Sequence, residues 1–229
     1  MLDSPMTLPR DEPVAGPWTA MSDDEFAGIV LSMARMSPGR PRVVAVDGRS
    51  ASGKTTLADN LAARVDRSAI IHVDDVAWNE PLFAWADLLA DNILAPLRSG
   101  EGASFSPPAW AAHGRQGAID IPAGLGLVIV EGVGASQREL SDLLDAAIWV
   151  QSDFLLAQKR GIDRDIAQGV NGTVEQTIAF WHEWMTEELR FLADQKPWER
   201  ANLIVAGTST PAIPDHQIAV AAGHLRPAP

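Results

Sequence analysis

Gly48-Arg49-Ser50-Ala51-Ser52-Gly53-Lys54-Thr55 is a complete G-x-x-x-x-G-K-[ST] segment, and it stands between two strongly patterned stretches. Before it, Val43 to Val46 is a short, continuous apolar run, which suits a strand buried on both faces in a parallel sheet. After it, Leu57, Ala58, Leu61, Ala62 and Val65 recur at three- and four-residue spacing and form one apolar helical face. A strand, a glycine-rich turn and a helix in that order leave an α/β fold with the turn at the sheet's carboxyl edge. Glycines let the backbone curl so that successive N–H groups point inward, and the helix N-terminus adds its partial positive charge. Such a cradle binds phosphate. An ordinary Gly/Ser-rich turn is the duller alternative, and the flanking pattern speaks against it.

The expected ligand is a nucleoside triphosphate with Mg2+. Gly48, Ser50, Ala51, Ser52, Gly53, Lys54, Thr55 and Thr56 would surround the phosphates, with Lys54 on the β- and γ-phosphates and the Thr55 hydroxyl on magnesium. At 229 residues and 46% apolar content the chain can fill one sizeable α/β core. Its net charge of −12 argues against nucleic acid or an anionic membrane as the main partner, because many phosphates would go unneutralised. The chain has no cysteine, so disulfides, thiolate metal sites and thiol nucleophiles are excluded. No stretch reaches membrane-span length and no secretory leader is apparent, so a cytoplasmic protein acting on a small-molecule substrate is expected. The oligomeric state is left open, a homodimer included.

Further strands are expected at Ala69–Val73, Leu127–Val130, Ala146–Val150 and Leu203–Ala206, and helices at Asp87–Leu97, Leu155–Ala167 and from Thr173 to about Asp194. Five strands alternating with helices imply a three-layer α/β/α fold around a mainly parallel sheet. Residues 1–40 are expected to form an irregular arm and a leading helix, with little to bury in the arm. Residues 41–210 would form the main domain and 211–229 a proline-spaced tail. The Gly- and Pro-rich stretch 99–124 reads as an excursion.

Three carboxylates fall at strand ends: Asp74 and Asp75 after the second strand, Glu131 after the third. Open α/β sheets bind ligands at that edge. Taken together, these motifs resemble the uridine kinase and phosphoribulokinase group of P-loop kinases, over roughly Arg42 to Thr208. The resemblance implies a catalytic base at Asp74, with Asp75 the next candidate, and a magnesium site of Thr55, Glu131 and Asp74. It also implies a lid at about 155–172 with cations Arg160 and Arg164 ahead of Asp165, although another lid arginine of the group falls on Gly161. Pro108-Ala109-Trp110-Ala111-Ala112-His113-Gly114-Arg115 can be laid on the group's base- and sugar-holding segment, where the aromatic, the histidine and the arginine are kept and a Tyr and an Asp are replaced by Pro108 and Ala109. Asp75, Trp78, Trp110, His113 and Arg115 are thus the expected acceptor contacts beside Asp74, and Gly207 is expected near the adenine.

The implied reaction is phosphoryl transfer from ATP to a hydroxyl of a nucleoside or a related small metabolite. Lys54, Arg160 and Arg164 would neutralise the moving charge and Asp74 would take the acceptor proton, for which an ordinary carboxylate pKa suffices. Loss of polar groups at 108 and 109 keeps a sugar or pantothenate-like alcohol open as acceptor. A nucleotide-controlled regulator without a small acceptor is the rival from another class; the Asp-Asp pair and basic lid favour the kinase. Each residue also has a plainer reading: a helix cap for Asp74 and Asp75, a surface carboxylate for Glu131, a loop histidine for His113, and a solvated helix face for Lys159, Arg160 and Arg164. Trp181 and Trp184, three apart on a helix, suit a core, whereas Trp78, Trp85 and Trp110 could line an aromatic pocket.

Overall fold

The computed structural model describes residues 6–34, 37–208 and 217–224. Its main sheet has seven strands, β1 (Thr19–Ser22), β2 (Arg42–Gly48), β3 (Ser68–His72), β6 (Leu127–Glu131), β7 (Ala146–Gln151), β8 (Leu203–Ala206) and β9 (Gln217–Ala222). A two-stranded ribbon, β4 (Ala103–Phe105) and β5 (Ile119–Ile121), stands apart from it. The helices are α1 (Asp23–Met33), α2 (Lys54–Ala62), α3 (Val73–Ala77), α4 (Ala86–Leu89), α5 (Ala95–Arg98), α6 (Pro108–Ala112), α7 (Phe154–Gln168) and α8 (Val174–Gln195).

The strand order is β1-β9-β8-β7-β2-β6-β3. The five inner and far strands β8, β7, β2, β6 and β3 pair in parallel, and β9 runs antiparallel to both β8 and β1. The five expected strands are therefore present, and the sheet is wider than expected by two. Strand β1 is four residues with no apolar alternation, and β9 lies in the segment expected as a proline-spaced tail, so neither carries a strong local strand signal. Of that tail, residues 211–216 and 225–229 lie outside the described residues.

Period-two alternation splits β2 between two cores. Val44 and Val46 join Phe26, Val30, Leu57 and Leu61 on one face, beneath α1 and α2. Val43 and Ala45 join Val76, Leu89, Ile93 and Leu97 on the other. Further along that second face, Trp149, Ile204, Ala219 and Ala221 pack with Leu192, Trp198, Met6, Ala15 and Trp18. Helices on both faces give the three-layer fold. The leading arm differs from expectation, since Met6, Ala15 and Trp18 are buried in this last cluster.

The expected helix at Asp87–Leu97 is found with a defect. A π-helical turn, Ala90–Leu94, joins α4 to α5 and ends two residues before Pro96. Proline lacks an N–H and its ring crowds the carbonyl four residues back, which a locally widened turn relieves.

Candidate functional site

Gly53 sits at φ 101°, a left-handed conformation suited to glycine, and caps α2 without a side-chain hydrogen bond, so the first amides of that helix are left to a ligand. Lys54 is buried and folds back, Nζ donating to the Arg49 carbonyl at 2.9 Å. Glycine is required at 207 as well, because a Cβ there would lie 1.9 Å from the Ser52 carbonyl oxygen. The chain after β8 is thereby pressed against the loop. A cleft of about 480 Å³ opens over these elements, lined by loop residues Ser50, Ala51, Gly53, Lys54, Thr55 and Thr56. Asp74 and Glu131 line it on one side and Arg160 and Arg164 on another. Gly48 and Ser52 underlie the loop rather than facing the cleft; Ser52 is fully buried.

Parallel pairing of β3 with β6 sets His72 opposite Glu131, so the carboxylates expected at the strand ends converge. Glu131 is buried, with Oε1 accepting from the Thr55 hydroxyl at 3.3 Å and Oε2 lying 2.9 Å from His72 Nδ1. Asp74 and Asp75 stand in the first turn of α3 rather than at the end of β3, which stops at His72. The Asp74 carboxyl is open to the cleft, yet surrounding protein raises its pKa by desolvation; Lys54 opposes the rise and Glu131 adds to it. The cause is protein on most sides of the carboxyl, which strips water that a strand-end surface position would keep. Oxygen donors from Thr55, Glu131 and Asp74 at one wall suit a hard divalent cation such as Mg2+.

Arg160 donates to the Gly207 carbonyl at 3.2 Å, and Arg164 is held through Nε by Asp165 at 2.8 Å. Asp165 also accepts from Trp181 Nε1, which fixes α7 against α8. Trp181 explains why position 161 carries no cation. A Cβ on Gly161 would fall 1.9 Å from the Trp181 ring. Lys159 points away, paired with Asp163 on an exposed face.

The expected acceptor contacts are gathered next door, but they hold one another. Arg115 pairs with Asp75 at 2.5 Å and lies 3.6 Å over the Trp110 ring, while Trp110 Nε1 donates to the Asp75 carbonyl. Trp78 meets His113 edge to face. Trp78, Trp110, His113 and Arg115 do not line the cleft. Trp85 is core and also walls a slot of about 70 Å³ that continues from Asp74, Val133 and Trp184 toward Phe83.

Three contributors escaped sequence reasoning. Glu188 on α8 is buried and accepts from the Ser50 amide at 2.8 Å, Trp184 Nε1 donates to the Ser50 hydroxyl at 2.8 Å, and His72 holds Glu131. Glu188 and Trp184 are four apart and so share a helix face, which is the signal that could have paired them. Nothing local tied them to Ser50, more than 130 residues away.

Comparison with known proteins agrees with the motif resemblance. Uridine-cytidine kinase A of Dictyostelium discoideum is 28% identical over 144 residues, 56% of this chain and 29% of that protein. Uridine-cytidine kinase B of the same organism is 28% identical over 152 residues, 56% of this chain and 60% of that protein. The match thus spans less than two thirds of either relative. Among solved structures, D-glycerate 3-kinase from Cryptococcus neoformans var. grubii matches with a TM-score of 0.54 at 17% identity, covering 80% of this chain and 94% of that one, a likeness of fold. No family model matches the chain.

Proposed function

We propose that this chain is a small-molecule kinase that transfers the γ-phosphoryl group of ATP, with Mg2+, to a hydroxyl of a small metabolite. One observation carries the reading: Asp74, on the α3 wall, faces the same cleft as Lys54 and Thr55 of the phosphate loop, with Glu131 lining that cleft too. ATP with Mg2+ supplies the transferable phosphoryl group when bound. Lys54 and the free amides at the start of α2 hold negative charge there, and Thr55 and Glu131 offer the cation its oxygens. Arg160 and Arg164 on α7 close over the same space and neutralise charge as it moves. Asp74 would orient the acceptor hydroxyl and take its proton as the new O–P bond forms and the bond from the γ-phosphorus to the departing ADP oxygen breaks. Gly207, against the loop, supports a backbone contact to the adenine.

For the acceptor, the slot beyond Asp74 favours a compact alcohol over a nucleoside. Its volume of about 70 Å³ is roughly two water volumes, and its walls include Val133, Phe83, Trp85 and Trp184, with Glu80 a second carboxylate beside Asp74. Asp75 and Arg115, which a base or sugar would engage, are spent on each other. A nucleoside would need that cluster to open. The names of the two similar kinases support keeping uridine and cytidine among the candidates.

The test is ATP consumption with Mg2+ against nucleosides, sugars and small hydroxyl acids and alcohols, with Lys54→Ala as the control. A single strong acceptor, phosphorylated by the wild type and not by Lys54→Ala, is expected, and a compact one rather than a nucleoside. ATP binding without stimulation by any compound, but with stimulation by a protein partner, would replace this reading with that of a nucleotide-controlled regulator.

A further inference from the structure

The chain turns back on itself directly after α3. Asn79 at φ 60° and Phe83 at φ 59° are left-handed, and the Glu80 and Ala84 amides donate to the Ala77 and Pro81 carbonyls, so two tight turns bring residues 80–83 back beside Asp74. That conformation is costly for a residue with a large ring. Phe83 is held in it by stacking on Phe191, with ring centroids 3.9 Å apart, and by Trp184 at 5.5 Å.

The slot of about 70 Å³ is the space enclosed beside these turns. Asp74 lines both the slot and the cleft, whereas Glu80, partly buried, lines the slot alone, and Phe83, Trp85 and Trp184 supply aromatic walls. No lysine, arginine or histidine lines it. None of the ion pairs among the described residues takes up Glu80. Lys54, the cation that acts most on Asp74, stands in the cleft, where the phosphates of the proposed reading take up its charge. Such a lining sorts compact alcohols by charge. A hydroxy acid would meet two carboxylates and no cation. A neutral diol would leave the Glu80 charge unmatched in a space with little room for water. An ammonium finds a carboxylate to pair with and aromatic rings that attract cations.

We propose that the acceptor is a compact amino alcohol, whose ammonium enters the slot against Glu80 and the aromatic walls while its hydroxyl stays at Asp74. The inference rests on the proposed kinase reading and adds to it the charge class of the acceptor. In the transfer the hydroxyl oxygen bonds to the γ-phosphorus, its proton passes to Asp74, and the bond to the departing ADP oxygen breaks; the ammonium keeps its protons throughout.

Ethanolamine, ethylene glycol and glycolate share one hydroxyethyl-like frame and differ in the charge at the far end. Each is assayed for ATP consumption with Mg2+ and, separately, for calorimetric binding to the full chain loaded with a non-hydrolysable ATP analogue and Mg2+. Ethanolamine is expected to show a kcat/KM roughly tenfold or more above that of ethylene glycol, with glycolate inert. Glu80→Gln, which keeps the size and removes the charge, is expected to bring ethanolamine down to the level of ethylene glycol, and Glu80→Lys to favour glycolate; ATP affinity equal to the wild type shows that both variants fold. Equal use of the three compounds, a preference for glycolate, an acceptor without positive charge that outperforms ethanolamine, or a preference indifferent to Glu80→Gln would overturn the assignment and leave the kinase reading in place. Ethanolamine binding that depends on Glu80, without ATP consumption, would support the slot as an ammonium site and remove the kinase reading. Absence of both binding and turnover with ethanolamine would overturn the assignment too.

Discussion

Asp74 is the residue on which the proposed chemistry turns, and its environment makes a directional prediction. Desolvation raises its pKa, and a protonated Asp74 cannot accept a hydroxyl proton. The transfer rate is therefore expected to be full above that raised pKa and to fall as pH drops through it, at a higher pH than an unperturbed aspartate would give. The pH profile of kcat measures this. Asp74→Asn should lower kcat about 10²- to 10⁴-fold while leaving ATP affinity intact, and should abolish the acidic limb in what activity remains. The same shift makes the ionised form less welcome in the folded state, so Asp74→Asn is also expected to raise the thermal midpoint at neutral pH. A rate left unchanged by this substitution would move the base to Asp75, which is held by Arg115.

At the scale of elements, α7 and α8 meet where Trp181 lies against the bare backbone of Gly161. Gly161→Arg, which would restore the cation of the related lids, is expected to cost about 2–3 kcal/mol by overpacking, measured by urea unfolding. Pairing it with Trp181→Ala should recover part of that loss, since residues in contact do not add. A second element-level joint is Asp145, which precedes β7 and is the common acceptor for Arg40, Arg98 and the Val43 amide. Burial pushes its pKa up, but the Arg40, Val43 and Arg98 hydrogen bonds outweigh it and the net shift is downward. Its stabilisation is thus present above the unfolded carboxylate pKa and lost as pH falls through the lower folded value. Asp145→Asn is expected to cost about 2–3 kcal/mol at neutral pH and to flatten the acid side of the stability curve.

Across the whole molecule, β9 joins the parallel sheet to β1 and buries Ala219, Val220 and Ala221. A chain ending at residue 208 would uncover the β8 edge and leave β1 without its partner. Such a chain is expected to melt at least roughly 5 °C lower and to scatter more light on heating, because an exposed strand edge invites pairing between copies. Among the described residues no helix is long and apolar enough to cross a membrane.

What the sequence determined by itself was whatever short-range pattern encodes. The loop from Gly48 to Thr55 and the five parallel strands needed only apolar runs, helical periodicity and turn residues within a few positions of one another. That Asp74, Glu131, Arg160 and Arg164 line one cleft with the loop was legible from the order of strands and helices, since each lies at or just beyond the carboxyl end of a parallel strand. Tertiary structure alone decided the rest. The arm carries Glu12 to Arg49, Glu188 reaches Ser50, and Asp75 is taken up by Arg115, all through contacts between segments that no local period connects. Burial settled the pairings of Glu12 and Glu188, since a charge removed from water needs a partner wherever in the chain that partner happens to be, whereas Asp75 and Arg115 are half exposed and are brought together by the packing of α6 beside α3.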